Sequence, residues 1–198
     1  MMRILAFSDL HDSPPGAAAV VAAASTADMV IGAGDFCNAR RGLAEAMAPL
    51  SGFAVPFLAV PGNAESVDEL RAAALRGATV LHGDLTQVGG LSVFGLGYAV
   101  PVAPFGAWSC DLTEAEAAAM LDACDDCDIL VTHSPPNGTA DRGRTGESLG
   151  STAIREAILR LQPRLALCGH IHDSWGAEGR IGATRVVNLG PAGTWFEV

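Results

Sequence analysis

Charge is scarce in this chain of 198 residues: charged side chains make up 17% and hydrophobic ones 49%, which excludes a disordered polymer. No apolar run approaches the roughly 20 residues that a bilayer-spanning helix needs. The Ala/Val-rich stretch over residues 17–24 is too short and follows Pro14-Pro15. A small-residue cleavage site is also missing where Met1-Met2-Arg3 runs through Phe7 into Ser8-Asp9, so no signal peptide is expected and a cytoplasmic location is the default. Nor is there a long linker, a low-complexity tract or an internal repeat. Residues 1–198 are therefore expected to form a single domain around one substantial core.

The cysteines (Cys37, Cys110, Cys124, Cys127 and Cys168) are odd in number, which argues against a disulfide framework. Cys124-x-x-Cys127 has the spacing of half a zinc ribbon but no second pair to complete it, and is read as reduced thiols. Basic residues are outnumbered, giving a net charge of −10. That disfavours nucleic acid and anionic membranes as partners, since both need a basic surface. An anionic substrate would need a local cation cluster to reverse the field.

What is present is a series of short β-type apolar runs ending in polar or glycine-rich loops. Strands are expected at residues 3–7, 28–31 and 55–60. Residues 8–15 read as a loop, and helices are expected at 16–24, 43–50 and 66–75, the last with Ser66 and Glu69 at capping-box positions. This βαβαβα pattern implies parallel strands with right-handed crossovers. Strands at 79–81, 85–88 and 91–94, joined by His82-Gly83-Asp84 and Gly89-Gly90, then look like a meander. Helices at 113–121 and 152–161 and strands at 128–131, 165–167, around Arg180, 184–188 and 194–197 complete the chain. The mixture fits two facing sheets with helices outside.

The chemistry-bearing residues sit where strands stop. Asp9-x-His11 follows the first strand, Asp35 the second and Asn63 the third; His133 follows the strand at 128–131 and His170-x-His172 the one at 165–167. Each piece alone has an ordinary explanation, because Gly-Asp and Gly-Asn are common turn dipeptides. Together they place four of the five histidines beyond strand carboxyl ends, where α/β sheets gather ligands into one crevice. Imidazoles combined with carboxylate and amide oxygen suit Mn, Fe, Zn or Ni better than Mg or Ca.

The series Asp9-x-His11, Gly32-x-Gly34-Asp35, Gly62-Asn63, Thr132-His133 and Gly169-His170-x-His172 resembles the calcineurin-like metallophosphoesterase superfamily. The resemblance runs from Ile4 to about Gly190 and implies an α/β fold: a four-layer αββα sandwich, two mixed β-sheets flanked by helices. It implies two divalent transition-metal ions, manganese first among them. One would be held by Asp9, His11, Asp35 and His172, the other by Asp35, Asn63, His133 and His170, with Asp35 bridging. Such a pair binds phosphoryl oxygens and acidifies a bridging water to the attacking hydroxide. Asp35, Asn63 and His133 stand closest to that chemistry. Two divalent ions bring four positive charges, the two aspartates remove two and a hydroxide one, so one remains to attract a phosphodiester anion.

One departure stands out. Much of the superfamily continues the asparagine turn with a histidine and an acid, the histidine stabilising the transition state or protonating the leaving oxygen; here the run is Gly62-Asn63-Ala64-Glu65. Ala64 has no proton to give, and Glu65 has no imidazole to orient. The chain is thus expected to be a metal-dependent phosphodiesterase for small or activated phosphodiesters. The alternatives are a catalytically weak metal-binding module that docks proteins, or a phosphomonoesterase or nuclease. Arg40, Arg41, Arg142 and Arg144 are read as solvated. Phe36, Tyr98 and Trp108 are read as core or rim packing and His82 as a surface or turn residue. Gly169 is read as permitting close backbone approach and Asn188 as supporting a loop.

Overall fold

The computed structural model describes residues 1–74 and 77–198; the expected end of the third helix at Leu75 lies outside the described residues. Strands β1 (Arg3–Phe7), β2 (Met29–Gly32), β3 (Phe57–Ala59) and β4 (Ala78–Val80) pair in parallel in that order. Helices α1 (Pro14–Ala23), α2 (Leu43–Met47) and α3 (Val67–Ala73) intervene. A second sheet of six strands follows, built from β5 (Asp84–Val88), β6 (Leu91–Leu96), β7 (Ile129–Thr132), β8 (Leu165–Cys168), β9 (Glu178–Ile181) and β10 (Thr184–Asn188). Its order is β5-β6-β7-β8-β10-β9, with β6, β7, β8 and β10 parallel and an antiparallel strand at each edge. Helices α4 (Glu114–Leu121) and α5 (Thr152–Leu161) belong to this half. The last strand, β11 (Thr194–Glu197), returns to lie antiparallel beside β1, completing a first sheet of five strands. Met2 and Val198 exchange backbone hydrogen bonds of 2.8 and 3.0 Å beyond that pairing.

Alternation along the strands makes the four layers. Ile4 and Ala6 of β1, Met29 and Ile31 of β2, and Ile129 and Val131 of β7 all enter one core shared by the two sheets. The intervening Leu5, Phe7 and Val30 point the other way, against Val20 of α1, Met47 of α2 and Leu70 of α3. On the opposite side Leu130 and Ala166 pack with Ala117 and Leu121 of α4 and Ile154 and Ile158 of α5. Because a strand's side chains alternate with period two, one strand feeds both an intersheet core and a sheet–helix core. The expected sandwich of two mixed sheets flanked by helices is what the chain forms. Among the described residues no helix is long and apolar enough to cross a membrane.

Local expectations differ at a few points. The meander is corrected: β4 lies parallel beside β3, Ala59 opposite Val80, and only β5 and β6 form a hairpin across Gly89-Gly90. His82-Gly83-Asp84 carries the chain from one sheet to the other, and period-two alternation looks the same for a hairpin and for a change of sheet. Helix α1 starts at Pro14 rather than Gly16, capped by the Ser13 hydroxyl, which accepts the Gly16 N–H at 3.2 Å. Proline fits a helix's first turn because the missing N–H has no partner there. Helix α2 gives way after Met47 to a 3-10 turn over Ala48–Gly52 containing Pro49, which cannot donate to an α-helical ladder. The capping box at Ser66 and Glu69 forms as expected, with bonds of 3.2 and 2.8 Å.

Candidate metal centre

Strands β1, β2, β3, β7 and β8 are buried along their whole length, apart from Arg3 at the far end of β1. Their carboxyl-end loops meet above the intersheet core. Four of the loops are joined in two pairs by backbone bonds: Asp9 N–H donates to Gly34 at 2.9 Å and His11 N–H to Asp35 at 3.0 Å, and Gly169 N–H donates to His133 at 2.9 Å. Four site residues adopt left-handed backbone, with φ of 55° at Asp9, 48° at His11, 56° at Asp35 and 68° at His170. Such conformations cost roughly 1–3 kcal/mol each in a residue with a side chain and persist where surrounding bonds over-determine them.

Two groups of side chains result: Asp9, His11 and His172 form one, and Asp35, His133 and His170 the other, with the ligand atoms of each group within 4.8 Å of one another. His11 Nε2 lies 3.0 Å from His172 Nε2, and His133 Nε2 lies 3.1 Å from Asn63 Oδ1. The Asp35 carboxylate faces both groups, Oδ2 at 3.6 Å from His11 Nε2 and Oδ1 at 3.5 Å from His133 Nε2. Ligand bonds of about 2.1 Å put neighbouring donor atoms about 3.0–3.5 Å apart at right-angle to tetrahedral bond angles. Three of the spacings fall in that range, His11 to Asp35 lies just beyond it at 3.6 Å, and His172 Nε2 to Asp9 Oδ1 is longer at 3.8 Å. Asp35 is placed to be shared, and Asn63 joins the group of His133.

Backbone acceptors select the imidazole tautomers. His133 Nδ1–H donates to the Ala33 carbonyl at 2.8 Å and His11 Nδ1–H to the Cys37 carbonyl at 3.3 Å. A carbonyl can only accept, so in each neutral ring the Nε2 lone pair is left facing the site. Asp9 is held by the Ser8 hydroxyl at 2.5 Å, the His170 N–H at 3.1 Å and the Trp175 indole N–H at 3.1 Å. The Trp175 ring also packs on His172, with centroids 4.4 Å apart. Gly169 must be glycine, since a Cβ there would fall 2.5 Å from Asp9 Oδ2. Asn188 donates to the carbonyls of Ala140, Gly169 and Ile171, a supporting role.

Glu65 has a role that sequence reasoning missed. It is fully buried, and its carboxylate accepts N–H bonds from Gly62 at 2.7 Å, Asp35 at 2.8 Å and Phe36 at 3.2 Å. It thereby ties the Asn63 loop to the Asp35 loop, while the Ala64 N–H returns a 2.8 Å bond to Asp35 Oδ1. Burial, then the charge of Asp35, push its carboxyl up to about 7. Ser8 and Trp175 were missed too, because nothing in sequence spacing aims a hydroxyl or an indole at Asp9.

The other residues weighed fall as follows. Arg40 pairs with Glu69 at 2.9 Å, and Arg142 donates to the Gly146 carbonyl at 3.0 Å; Arg41 and Arg144 are exposed. Phe36 is core, packed edge-on to Phe7 and Phe57. His82 lies in the bend between β4 and β5 as a half-buried residue, its ring tilted at 45° against Tyr98 at 4.3 Å and its Nδ1 accepting the Gly97 N–H. Trp108 stands on the rim of an open cavity of about 440 Å³ whose floor includes His11, Asp35, Asn63 and His170. All five cysteines are unpaired.

The histidines differ in basicity. Burial, then His133, push His170 down to about 3, and burial lowers His172 as well. At His133 burial disfavours the cation, but Asp35 and Asp9 more than offset it, and the pKa rises above the ordinary 6.5. A raised pKa means the ring keeps its proton to higher pH, and a protonated ring cannot ligate. Metal affinity should be complete above that value and fall as pH drops through it, by up to about tenfold per pH unit. Calorimetric Mn titrations from about pH 8 to 6 test this, and flat affinity contradicts it. A second expectation concerns Glu65→Ala, which strands three buried N–H groups. It should cost on the order of 3 kcal/mol or more, read from the urea midpoint, with Glu65→Gln milder.

The chain is similar to known proteins in sequence and in fold. A segment of the chain is 32% identical over 62 residues to the UPF0046 protein T07D4.2 of Caenorhabditis elegans, covering 31% of this chain and 15% of that protein. The match thus spans only a small part of that relative's length. The fold is similar to that of TT1561 of Thermus thermophilus, with TM-score 0.76 and 21% identity over 96% of this chain and 90% of that one. It is also similar to a dimetal phosphatase from Danio rerio, with TM-score 0.64 and 13% identity over 96% and 88% of the two chains. Residues 2–197 match the calcineurin-like phosphoesterase superfamily domain. With that match across nearly its whole length, the chain belongs to the calcineurin-like phosphoesterase superfamily.

Proposed function

We propose that the chain is a phosphodiesterase for small or activated phosphodiesters, of the kind lacking the histidine after Gly-Asn, with manganese the first metal to test. The observation that carries this reading is the charge of the cavity wall. Among the described residues no Arg or Lys lines the cavity, whereas Asp35 and Asp173 do. A dianionic monoester would meet these carboxylates with no side-chain cation to offset its second charge. A monoanionic diester matches the single positive charge left after Asp9, Asp35 and a hydroxide are set against two divalent ions.

When bound, a pair of divalent cations supplies Lewis acidity to the phosphoryl oxygens and lowers the pKa of the attacking water. The protein's own groups hold the geometry. Asp35 spans both halves of the site, while the Nδ1–H bonds of His11 and His133 keep their rings from rotating. Ala64 is buried and contributes only its backbone, its N–H to Asp35 and its carbonyl to the Arg40 N–H at 2.8 Å. No side chain at this position hands a proton to the leaving oxygen, so the leaving group must depart as a stable anion.

With Mn-loaded protein, kcat/KM should be higher for bis(p-nitrophenyl) phosphate than for p-nitrophenyl phosphate. A monoester preference overturns the reading, and stoichiometric protein binding without turnover under Mn, Zn, Fe or Ni favours the interaction-module alternative. In the same assay Ala64→His should raise turnover of diesters with poorer leaving groups, toward the about 10²–10⁴-fold that general acid catalysis supplies. An unchanged leaving-group dependence removes the general-acid argument.

A further inference from the structure

Beyond the ligand cage the cavity wall turns aromatic. The Phe105 ring stands edge-on to the ring of His170, with centroids 6.2 Å apart and planes at 80°. The Trp108 indole then stacks on Phe105 at 5.7 Å and 20°. His170 itself lies 4.9 Å from His133, so the rings form a continuous series from the metal-ligand floor to the rim. Phe105 is 48% exposed, Trp108 36% and Leu149, on the same cavity, 43%. These are large apolar surfaces left facing solvent beside a polar cage.

The segment carrying them is tied down. At its base the Cys110 N–H donates to the Asn63 carbonyl at 3.0 Å and the Ala99 N–H to Cys110 at 3.0 Å. The Val100 N–H donates to the Ser134 hydroxyl at 2.9 Å, next to His133. Within the loop Ser109 N–H closes a turn onto Gly106 at 3.1 Å, and the Ser109 hydroxyl bonds Asp111 at 2.8 Å. The two ends of the segment that carries the aromatic pair are therefore anchored, at Cys110 to the Asn63 carbonyl and at Val100 to the Ser134 hydroxyl beside His133. A preformed aromatic surface loses little conformational entropy when a flat group stacks on it.

The geometry points to a subsite in which Phe105 and Trp108 bind a planar aromatic substituent of a monoanionic phosphoester whose phosphorus lies over the metal cage. This rests on the phosphoester reading above and names the substrate class for it. Asp173, on the same wall, sets a limit: its carboxylate disfavours a second phosphate, so the substituent is neutral and the substrate carries one phosphorus. An aryl group bonded directly to the ester oxygen would meet Phe105, the ring nearest the cage. A nucleobase one sugar further away would reach Trp108.

The test uses binding by inert ligands, which separates the subsite from turnover. Mn-loaded protein is titrated calorimetrically with methyl phenylphosphonate, methyl cyclohexylphosphonate, methyl methylphosphonate and thymidine 5′-methylphosphonate, all monoanions. The phenyl or thymidine ligand should bind about fivefold to a hundredfold more tightly than the methyl ligand, the range that base–aromatic stacking gives. Whichever of the two gains more identifies aryl ester or nucleoside as the source. Trp108→Ala and Phe105→Ala should shrink that margin, while Trp195→Ala, on the β11 strand, should leave it intact. Cyclohexyl binding as tight as the tighter of the phenyl and thymidine ligands, or a margin that survives both loop substitutions, overturns the aromatic subsite alone. Failure of every phosphonate to bind the metal-loaded protein overturns the subsite and the phosphoester reading together.

Discussion

A buried carboxylate that accepts three backbone N–H groups underlies this site. Glu65 carries no metal and faces no cavity, yet its oxygens join Gly62, Asp35 and Phe36 and so hold two strand-end loops in register. Its closest neighbour in charge is Asp35, and two carboxylates in a low-dielectric interior repel. The N–H groups and the Coulomb pull of His133 work against that repulsion. The aspartate is thereby held in left-handed backbone with both oxygens aimed at histidines on opposite sides.

The sandwich supplies the rest of the convergence. Parallel strands in each sheet end on the same side, and the shared apolar core sets the two sets of ends against each other. The bond from His133 Nδ1 to the Ala33 carbonyl crosses from one sheet's loops to the other's, so the tautomer of a candidate ligand depends on how the sheets pack. Backbone strain at Asp9, His11, Asp35 and His170 marks where the loops are bent to face inward. The aromatic segment 99–110 is attached to the same loops, through the Asn63 carbonyl and the Ser134 hydroxyl beside His133.

Much of this is legible in the sequence. Strand ends can be read because apolar β runs stop abruptly at Gly-Asp, Gly-Asn and Gly-His, and chain order then places Asp9, His11, Asp35, Asn63, His133, His170 and His172 on one side. Helices with a capping residue, such as α5, could be bounded closely. The change of sheet at His82-Gly83-Asp84 could not be read, since β4 has the same alternation whether it folds back or moves on. The work of Glu65 was hidden for a different reason: a glutamate expected to orient a neighbouring imidazole looks idle beside Ala64, and its backbone partners are 3 to 30 residues away. Phe105 and Trp108 carry no spacing signal either, because only the folded loop stacks them.

The pairing of Met2 with Val198 lies at the amino end of β1, the strand whose opposite end delivers Asp9. Residues 2 and 198 therefore both lie at the pole remote from the candidate ligands. A tether attached at either of these residues leaves the cavity of His11, Asp35 and His170 pointing away from the support.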